Sequence, residues 1–186
     1  FSFSFTKFVK KIIQMLPKRL YNLLLGLFPI VFAIHNLEEW LVFNSNIGLI
    51  VKLGPKFISD LMAKDSEAVS SIFGTDLIVA TLMPLLATIV FLNKVSVLNI
   101  KILVVVAFVT LINALSHIFS SVSLGFISPG FITGILLCIP YSIAVLLLVS
   151  KYIKFTFRLY FLLGLGSIAV YALGLGLAWV IGFLFS

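Results

Sequence analysis

Five stretches of this sequence are apolar over the length that a helix needs to cross a lipid bilayer, about 20 residues. They cover residues 20–43, 71–92, 100–120, 131–150 and 158–185. Each stretch is too long for a strand, and none alternates as a membrane barrel strand does. Hydrophobic residues make up 62% of the 186 residues and charged residues 10%, which is far from the composition of a soluble domain. The sequence therefore predicts an all-α fold, a polytopic membrane bundle of about five transmembrane helices.

Two shorter segments are amphipathic, and each predicts a helix that lies on a membrane surface. A basic face opposite an apolar face runs through residues 1–19, with Lys7, Lys10 and Lys11 on it. A second apolar stripe begins after Pro55 and predicts an outer-surface helix. We assign residues 1–19 to a basic interfacial helix and residues 20–186 to one transmembrane domain. Because the first residue is Phe1 rather than methionine, we expect further residues to precede it.

The basic residues are distributed unequally between the two ends of the predicted segments. Ten lysines and arginines precede the first segment or join the second to the third and the fourth to the fifth. The opposite side carries Lys52, Lys56 and Lys64, mixed with acidic residues. The positive-inside rule then predicts a cytoplasmic N-terminus and an external C-terminus in the cell membrane. This distribution explains the net charge of +7 without a nucleic-acid partner.

The first apolar stretch contains the run His35-Asn36-Leu37-Glu38-Glu39, which brings three ionisable side chains into a segment that otherwise suits lipid. Ionisable groups inside a membrane segment are costly, turn inward to partners or a cavity, and by default mark a functional site. On a helix the three side chains fall within an arc of about 100°. We therefore expect His35, Glu38 and Glu39 to face the bundle interior together.

The charge-derived topology sets the depth of the other unusual polar residues. Asn113 and His117 are one turn apart near the outer end of the third segment, and Asp76 lies near the outer start of the second. Since the first and third segments run outward and the second begins outside, these side chains should reach the level of the motif. The sequence thus predicts that both of its histidines converge with the acidic residues near the outer leaflet.

This set of residues suits a metal site. Two adjacent carboxylates in a low dielectric need a proton or a cation to compensate them, and the sequence has no lysine or arginine at that depth. His35, Glu39 and His117 form a two-histidine, one-carboxylate set that suits zinc or another divalent metal and leaves one position open. Glu38 is then the candidate general base, and His117 and Asp76 are the other candidate catalytic residues.

The same residues allow three other interpretations. Without a metal, the histidines and carboxylates can act as an acid and base pair. They can also be purely structural and hydrogen-bond neighbouring helices together, in which case Asp76 only caps its helix. A haem held between His35 and His117 has suitable ligands but unfavourable neighbouring carboxylates.

At these residues the chain resembles the HXXEE-domain family of small bacterial and archaeal membrane proteins, whose motif is matched by His35, Glu38 and Glu39. The family pattern adds a second histidine, matched by His117, and a Tyr-x-Pro-Gly motif. Here that motif reads Ile127-Ser128-Pro129-Gly130, so the turn is kept and the tyrosine is not. The resemblance covers residues 21–152 and implies a joint role for these residues in a candidate enzyme family without an assigned reaction. The uncharged turn can fold back over the site or serve as a plain connection.

These observations favour a membrane-embedded enzyme, a hydrolase or an acyl or lipid transferase, that acts on a lipid or another apolar substrate. The expected partners are membrane lipids, and the small residues of the last segment predict either close helix packing or a homo-oligomer through that helix. The alternative is a transporter or ion-binding protein in which the acidic and histidine cluster carries protons or a divalent cation. That alternative needs polar residues in the inner half of the bundle, and the sequence has few.

Overall fold

The computed structural model describes residues 16–53 and 66–185, and this part of the chain is helical, without strands. It contains five helices that are long and apolar enough to cross a membrane. We call them α1 to α5, with bounds Lys18–Leu53, Ser66–Phe91, Val97–Leu124, Phe131–Tyr152 and Phe157–Phe185. The predicted all-α fold and the number of spanning helices are confirmed, and the chain is a multi-pass membrane protein.

Two sequence predictions concern segments other than these helices. The predicted N-terminal surface helix covers residues 1–19: residues 1–15 lie outside the described residues, and Lys18 and Arg19 begin α1. Residues 54–65, where the predicted helix after Pro55 begins, also lie outside the described residues, and the last residue of its apolar stripe, Val69, belongs to α2. The orientation of the bundle across the membrane, which the distribution of lysines and arginines predicts, stays a prediction.

Short connections join α2 to α3, α3 to α4 and α4 to α5, so each of these helices runs antiparallel to the next. Helix α1 packs on α2, α2 on α5, α5 on α3, and α3 on α4. The bounds of α3 follow from its sequence, because the Ser96 side chain accepts a hydrogen bond from the backbone N–H of Asn99 at its start. Gly125 ends it in the left-handed conformation, with φ of 71°. The helices thus form a bundle in which α1, α2, α3 and α5 surround a common interior.

Helix α4 is not a regular α-helix over its first half. An α-helical turn at Phe131–Thr133 is followed by a π-helical segment, Gly134–Cys138, and then by an α-helix, Ile139–Tyr152. The wide segment directly precedes Pro140, whose ring lacks an N–H and crowds the preceding turn. Single π-turns inside helices are frequent at functional sites.

The two halves of the bundle differ in how they are filled. In one half, which we call the packed half, most fully buried side chains are apolar or aromatic, among them Tyr21, Leu103, Val104 and Val149, and hydroxyls such as that of Ser167 bond to backbone carbonyls. In the other, which we call the site half, several of the buried side chains are polar: His35, Asn36, Glu39, Asp76 and Asn113. Polar groups out of water need partners, so their arrangement is the feature to explain.

Candidate metal centre and its cavity

Three ionisable side chains meet in the site half. Oε1 of Glu39 lies 3.1 Å from Nε2 of His35 and 2.6 Å from Nε2 of His117. The two imidazole rings are 5.0 Å apart between centroids and nearly perpendicular. His35 is fully buried, Glu39 is 7% exposed, and His117 is partly buried. The predicted convergence of His35, Glu39 and His117 is therefore confirmed.

The helices explain this arrangement. His35 and Glu39 are four residues apart on α1, so their side chains lie one turn apart on the same face. His117 reaches them from α3, and Asn113, one turn earlier on that helix, lies with its Nδ2 2.7 Å from Nε2 of His35. The ligand atoms of His35, Glu39 and His117 all lie within 4.8 Å of one another, so this group could hold a metal ion.

Glu38 has different neighbours from Glu39. Its Oε2 accepts hydrogen bonds from the backbone N–H of Thr133, at 2.8 Å, and from the Thr133 hydroxyl, at 2.5 Å. Its Oε1 accepts from the N–H of Ile132 at 3.2 Å. The residue at the start of this helix, Gly130, has no side chain to cap these groups. The Glu38 carboxylate therefore caps the N-terminus of α4 from another helix, where the helix dipole favours a negative charge.

A hydrogen-bonded chain links Glu38 to His35 through Thr133 and assigns a proton to Nδ1 of His35. The Thr133 hydroxyl is donated to Glu38, so its oxygen accepts from Nδ1–H of His35 at 2.8 Å. The Tyr171 hydroxyl donates to Oδ1 of Asn113 at 3.0 Å, which turns the amide nitrogen of Asn113 toward His35. Nε2 of His35 therefore faces two groups: the Asn113 amide nitrogen, which favours the unprotonated form that binds a metal, and Oε1 of Glu39 at 3.1 Å, which favours a proton on Nε2.

His117 is held by its own turn of helix. Its backbone carbonyl accepts hydrogen bonds from the hydroxyls of Ser121, at 2.9 Å, and Ser128, at 2.8 Å. Nε2 of His117 is buried 2.6 Å from Oε1 of Glu39, and among the described residues it has no hydrogen bond to another group. The Glu39 carboxylate thus lies close to Nε2 of both imidazoles.

The turn between α3 and α4 lies directly over the group. Gly130 has φ of 80°, and a Cβ atom added to it would lie 2.9 Å from Oε1 of Glu39 and 2.9 Å from Cε1 of His117. Only glycine fits this position, because of both its backbone conformation and its neighbours. The Pro129-Gly130 turn therefore folds back over the site. Ile127, at the tyrosine position of the family motif, is exposed.

The site opens onto a cavity of about 670 Å³ between α1, α2, α3 and α5. Among the described residues its lining includes Glu39, Asp76, Asn113 and His117, and it includes neither His35 nor Glu38. Asp76 is 3% exposed, and its Oδ1 has no hydrogen-bond partner in the described part of the chain. The structure thus brings Asp76 to the same cavity as the metal-ligand group, as predicted, and leaves its carboxylate unengaged.

Haem is a poor fit to this geometry. The Glu39 carboxylate lies close to Nε2 of both histidines, in the space that a macrocycle between them would need.

Sequence reasoning missed two residues of the hydrogen-bonded chain, Thr133 and Tyr171. Thr133 has a recognisable signal, since it lies in the first turn after Pro129-Gly130 and hence at the level of the motif. The Tyr171 hydroxyl carries no comparable local signal.

The sequence was compared with protein families, curated proteins and solved structures. A family model described as "Protein of unknown function with HXXEE motif" matches residues 26–145, which is more than half of the chain. The chain therefore belongs to the HXXEE family, as the motif predicted. No curated protein and no solved structure matches it.

Proposed function

We propose that this member of the HXXEE family is a membrane-embedded enzyme that hydrolyses a lipid or another apolar substrate, or transfers an acyl group from it, with a divalent cation held by His35, Glu39 and His117. One observation carries the proposal: the group of His35, Glu39 and His117 adjoins a large cavity inside a membrane-spanning bundle, with Glu39 and His117 in the cavity wall. A cavity with mostly apolar walls and a few convergent polar groups is the usual form of a small-molecule site.

The donor set supports the cation. Two imidazole nitrogens and one carboxylate are a common ligand set of catalytic zinc, with a further position left for water or substrate. Nδ1 of His35 is held by Thr133, as outer hydrogen bonds commonly hold metal-binding histidines, and its Nε2 lies toward Glu39. A cation there would compensate the buried Glu39 and would supply a Lewis acid or a more acidic bound water.

The carboxylates have separate roles in this proposal. The Glu38 carboxylate already accepts three hydrogen bonds from α4, which supports a positioning role for it and weakens its case as the general base. Asp76 lines the cavity and its Oδ1 has no hydrogen-bond partner among the described residues, so we assign it the proton transfer to and from the substrate. In this proposal Asp76 replaces Glu38 as the general base, and Glu38 becomes a positioning residue.

A second candidate is a metal-free acid and base site. It is favoured by the hydrogen bond from Asn113, which occupies the Nε2 lone pair of His35 that a cation would need. In this version Glu39 and His117, 2.6 Å apart, exchange the proton, and Asp76 serves as the second acid or base. The reaction class is then proton transfer on an apolar substrate rather than metal-assisted hydrolysis.

Elemental analysis separates the two candidates. The purified protein would be loaded with zinc in detergent, freed of excess metal, and measured beside His35→Ala, His117→Ala and Glu67→Gln. Glu67 is an exposed acidic residue in the first turn of α2 and serves as the matched control. We expect one cation per chain in the wild type and the control and none in the histidine variants. Equal zinc content in all four proteins, or none in any, would exclude the metal centre.

Turnover tests the enzyme itself. The protein would be reconstituted into vesicles of isotope-labelled phospholipid and monoacylglycerol, and the lipids would be followed by mass spectrometry. We expect products with the wild type and Glu67→Gln, and at least a hundredfold slower formation with Glu39→Gln and Asp76→Asn, about the size of a lost acid–base contribution. Product formation that is unaffected by either substitution would remove these carboxylates from the reaction.

A further inference from the structure

The cavity extends well beyond the polar residues, into the packed half of the bundle. Its deepest described lining residues each lie eleven positions along a helix from a polar residue of the site: Phe28 from Glu39, Ala87 from Asp76, and Val106 from His117. Eleven helical residues span about 16 Å. Each of the three helices therefore indicates that the cavity extends about 16 Å from the polar residues into the packed half.

This depth matches the length of a lipid tail. The hydrocarbon layer is about 30 Å thick, so the chains of one leaflet occupy about half of that. The walls of this part of the cavity are apolar or aromatic and come from α1, α2 and α3: Phe28, Phe32, Ala80, Met83, Ala87 and Val109. A hydrocarbon chain can fill such a space, whereas a polar substrate would leave its groups without partners.

The upper end of this space is polar, which indicates that the same ligand also carries a polar group. Asp76 is nine-tenths buried or more and lines the cavity together with Glu39 and His117, and its Oδ1 has no hydrogen-bond partner among the described residues. A buried acceptor without a partner is costly, and a ligand hydroxyl can satisfy it. The occupant indicated by both ends is therefore amphiphilic, with a hydroxyl beside Asp76 and a chain that runs into the packed half.

We propose that this cavity binds one hydrocarbon chain of a hydroxyl-bearing lipid, such as a monoacylglycerol, and that the cavity floor near Ala87 limits the length of that chain. This inference deepens the proposed function and rests on it for the identity of the cavity as the substrate site. Chain binding itself does not require the reaction. Occupancy and turnover can therefore be measured separately.

The test uses an equimolar mixture of saturated monoacylglycerols of increasing chain length, added to the full-length protein in detergent, with bound species identified by native mass spectrometry. Ala80→Phe places a ring one turn below Asp76 and should reduce binding of all long chains at least tenfold. Ala87→Phe raises the floor and should shift the preferred chain to a shorter one. Met83→Ala enlarges the cavity and should shift it to a longer one, which keeps the test decisive if a larger residue prevents folding.

Two controls complete the experiment. Ala172→Phe introduces the same ring at an exposed position of α5 and should leave the preference unchanged. His117→Ala should abolish turnover under the proposed function while the chain-length preference persists. An identical length distribution in Ala87→Phe, Met83→Ala and the wild type would overturn the chain-binding proposal, whatever the turnover. A clear shift in that distribution, together with unaffected turnover in His117→Ala, would instead retain it and reject the proposed reaction site.

Discussion

The packed half and the site half of the bundle are built from the same helices, yet they satisfy their polar groups in opposite ways. In the packed half, isolated hydroxyls reach backbone carbonyls of other helices: Tyr21 donates to Phe91 at 3.2 Å and Tyr141 to Leu24 at 3.0 Å. In the site half, side chains bond mainly to other side chains, from Tyr171 through Asn113 and His35 to Glu38. The hydrogen bonds of the packed half join one helix to another, and those of the site half hold the group of His35, Glu39 and His117 beside the cavity.

The difference also bears on transport. Proton or cation movement across the membrane would need polar groups that continue through the packed half. Within the described residues, the core of that half consists of apolar and aromatic side chains, and its buried polar side chains, such as Thr88 and Ser167, carry hydroxyls that bond to backbone carbonyls. In this part of the chain the acidic and histidine cluster does not continue into the packed half.

The largest expected effect on zinc affinity is that of an alanine at Gly130, compared with an alanine at Gly125, which has a similar backbone conformation. Gly130 and Gly125 have φ of 80° and 71°, so alanine adds strain of about 1–2 kcal/mol at either. Only at Gly130 would the new Cβ collide with Glu39 and His117, while nothing lies within 4 Å at Gly125. Gly130→Ala should lower zinc affinity by at least about a hundredfold, as broken support around metal ligands does.

Zinc competition with a chromophoric chelator would measure this effect, with Gly125→Ala as the control. The comparison of the two halves would be weakened if both variants lost zinc equally, because backbone strain alone would then account for the loss.

The second effect concerns two threonines with similar bonds in different halves. Thr133 joins His35 to Glu38, whereas the Thr88 hydroxyl donates to the Leu25 carbonyl at 3.1 Å. Thr133→Val should reduce zinc affinity by about 10- to 100-fold, because it removes the partner that orients His35. Thr88→Val should leave zinc affinity unchanged and lower the free energy of unfolding by about 1 kcal/mol. Chelator competition and unfolding in dodecyl sulfate mixed micelles would measure the two quantities.

The third effect compares two valines of α3. Val104 is fully buried in the packed half, and Val109 lines the cavity. Val104→Ala leaves a new void and should lower the free energy of unfolding by about 2 kcal/mol. Val109→Ala only enlarges a space that exists already, so its cost should stay below about 1 kcal/mol. Equal destabilisation in the micelle unfolding assay would contradict the division into a packed half and a site half.

The smallest effect involves two tyrosine hydroxyls. Tyr171→Phe releases the Asn113 amide, which competes with a cation for Nε2 of His35, so zinc affinity should rise by about threefold. Tyr141→Phe should leave zinc affinity unchanged and lower the free energy of unfolding by about 1 kcal/mol. Isothermal titration with zinc is sensitive enough for this comparison, and a fall in affinity with Tyr171→Phe would show that the Asn113 contact assists the cation.

The sequence by itself determined the five candidate spanning helices and the convergence of His35, Glu39 and His117. Hydropathy fixes the helices because a bilayer demands continuous apolar length. Helical periodicity puts His35 and Glu39 on one face, and the alternating direction of the helices brings His117 and Asp76 to their level. The histidine–glutamate–glutamate motif also identified the family correctly.

Only the tertiary structure decided which groups each of the two carboxylates of the motif contacts. Glu38 and Glu39 lie within one arc of α1, so periodicity treats them alike. The height and rotation of α4 bring its free N–H groups and Thr133 to Glu38 and leave Glu39 to the histidines. The cavity, the Tyr171 contact and the close approach of Gly130 likewise depend on how separate helices pack. Hydropathy and periodicity describe each helix alone, and the packing between helices is set by side-chain shape across segments distant in the sequence.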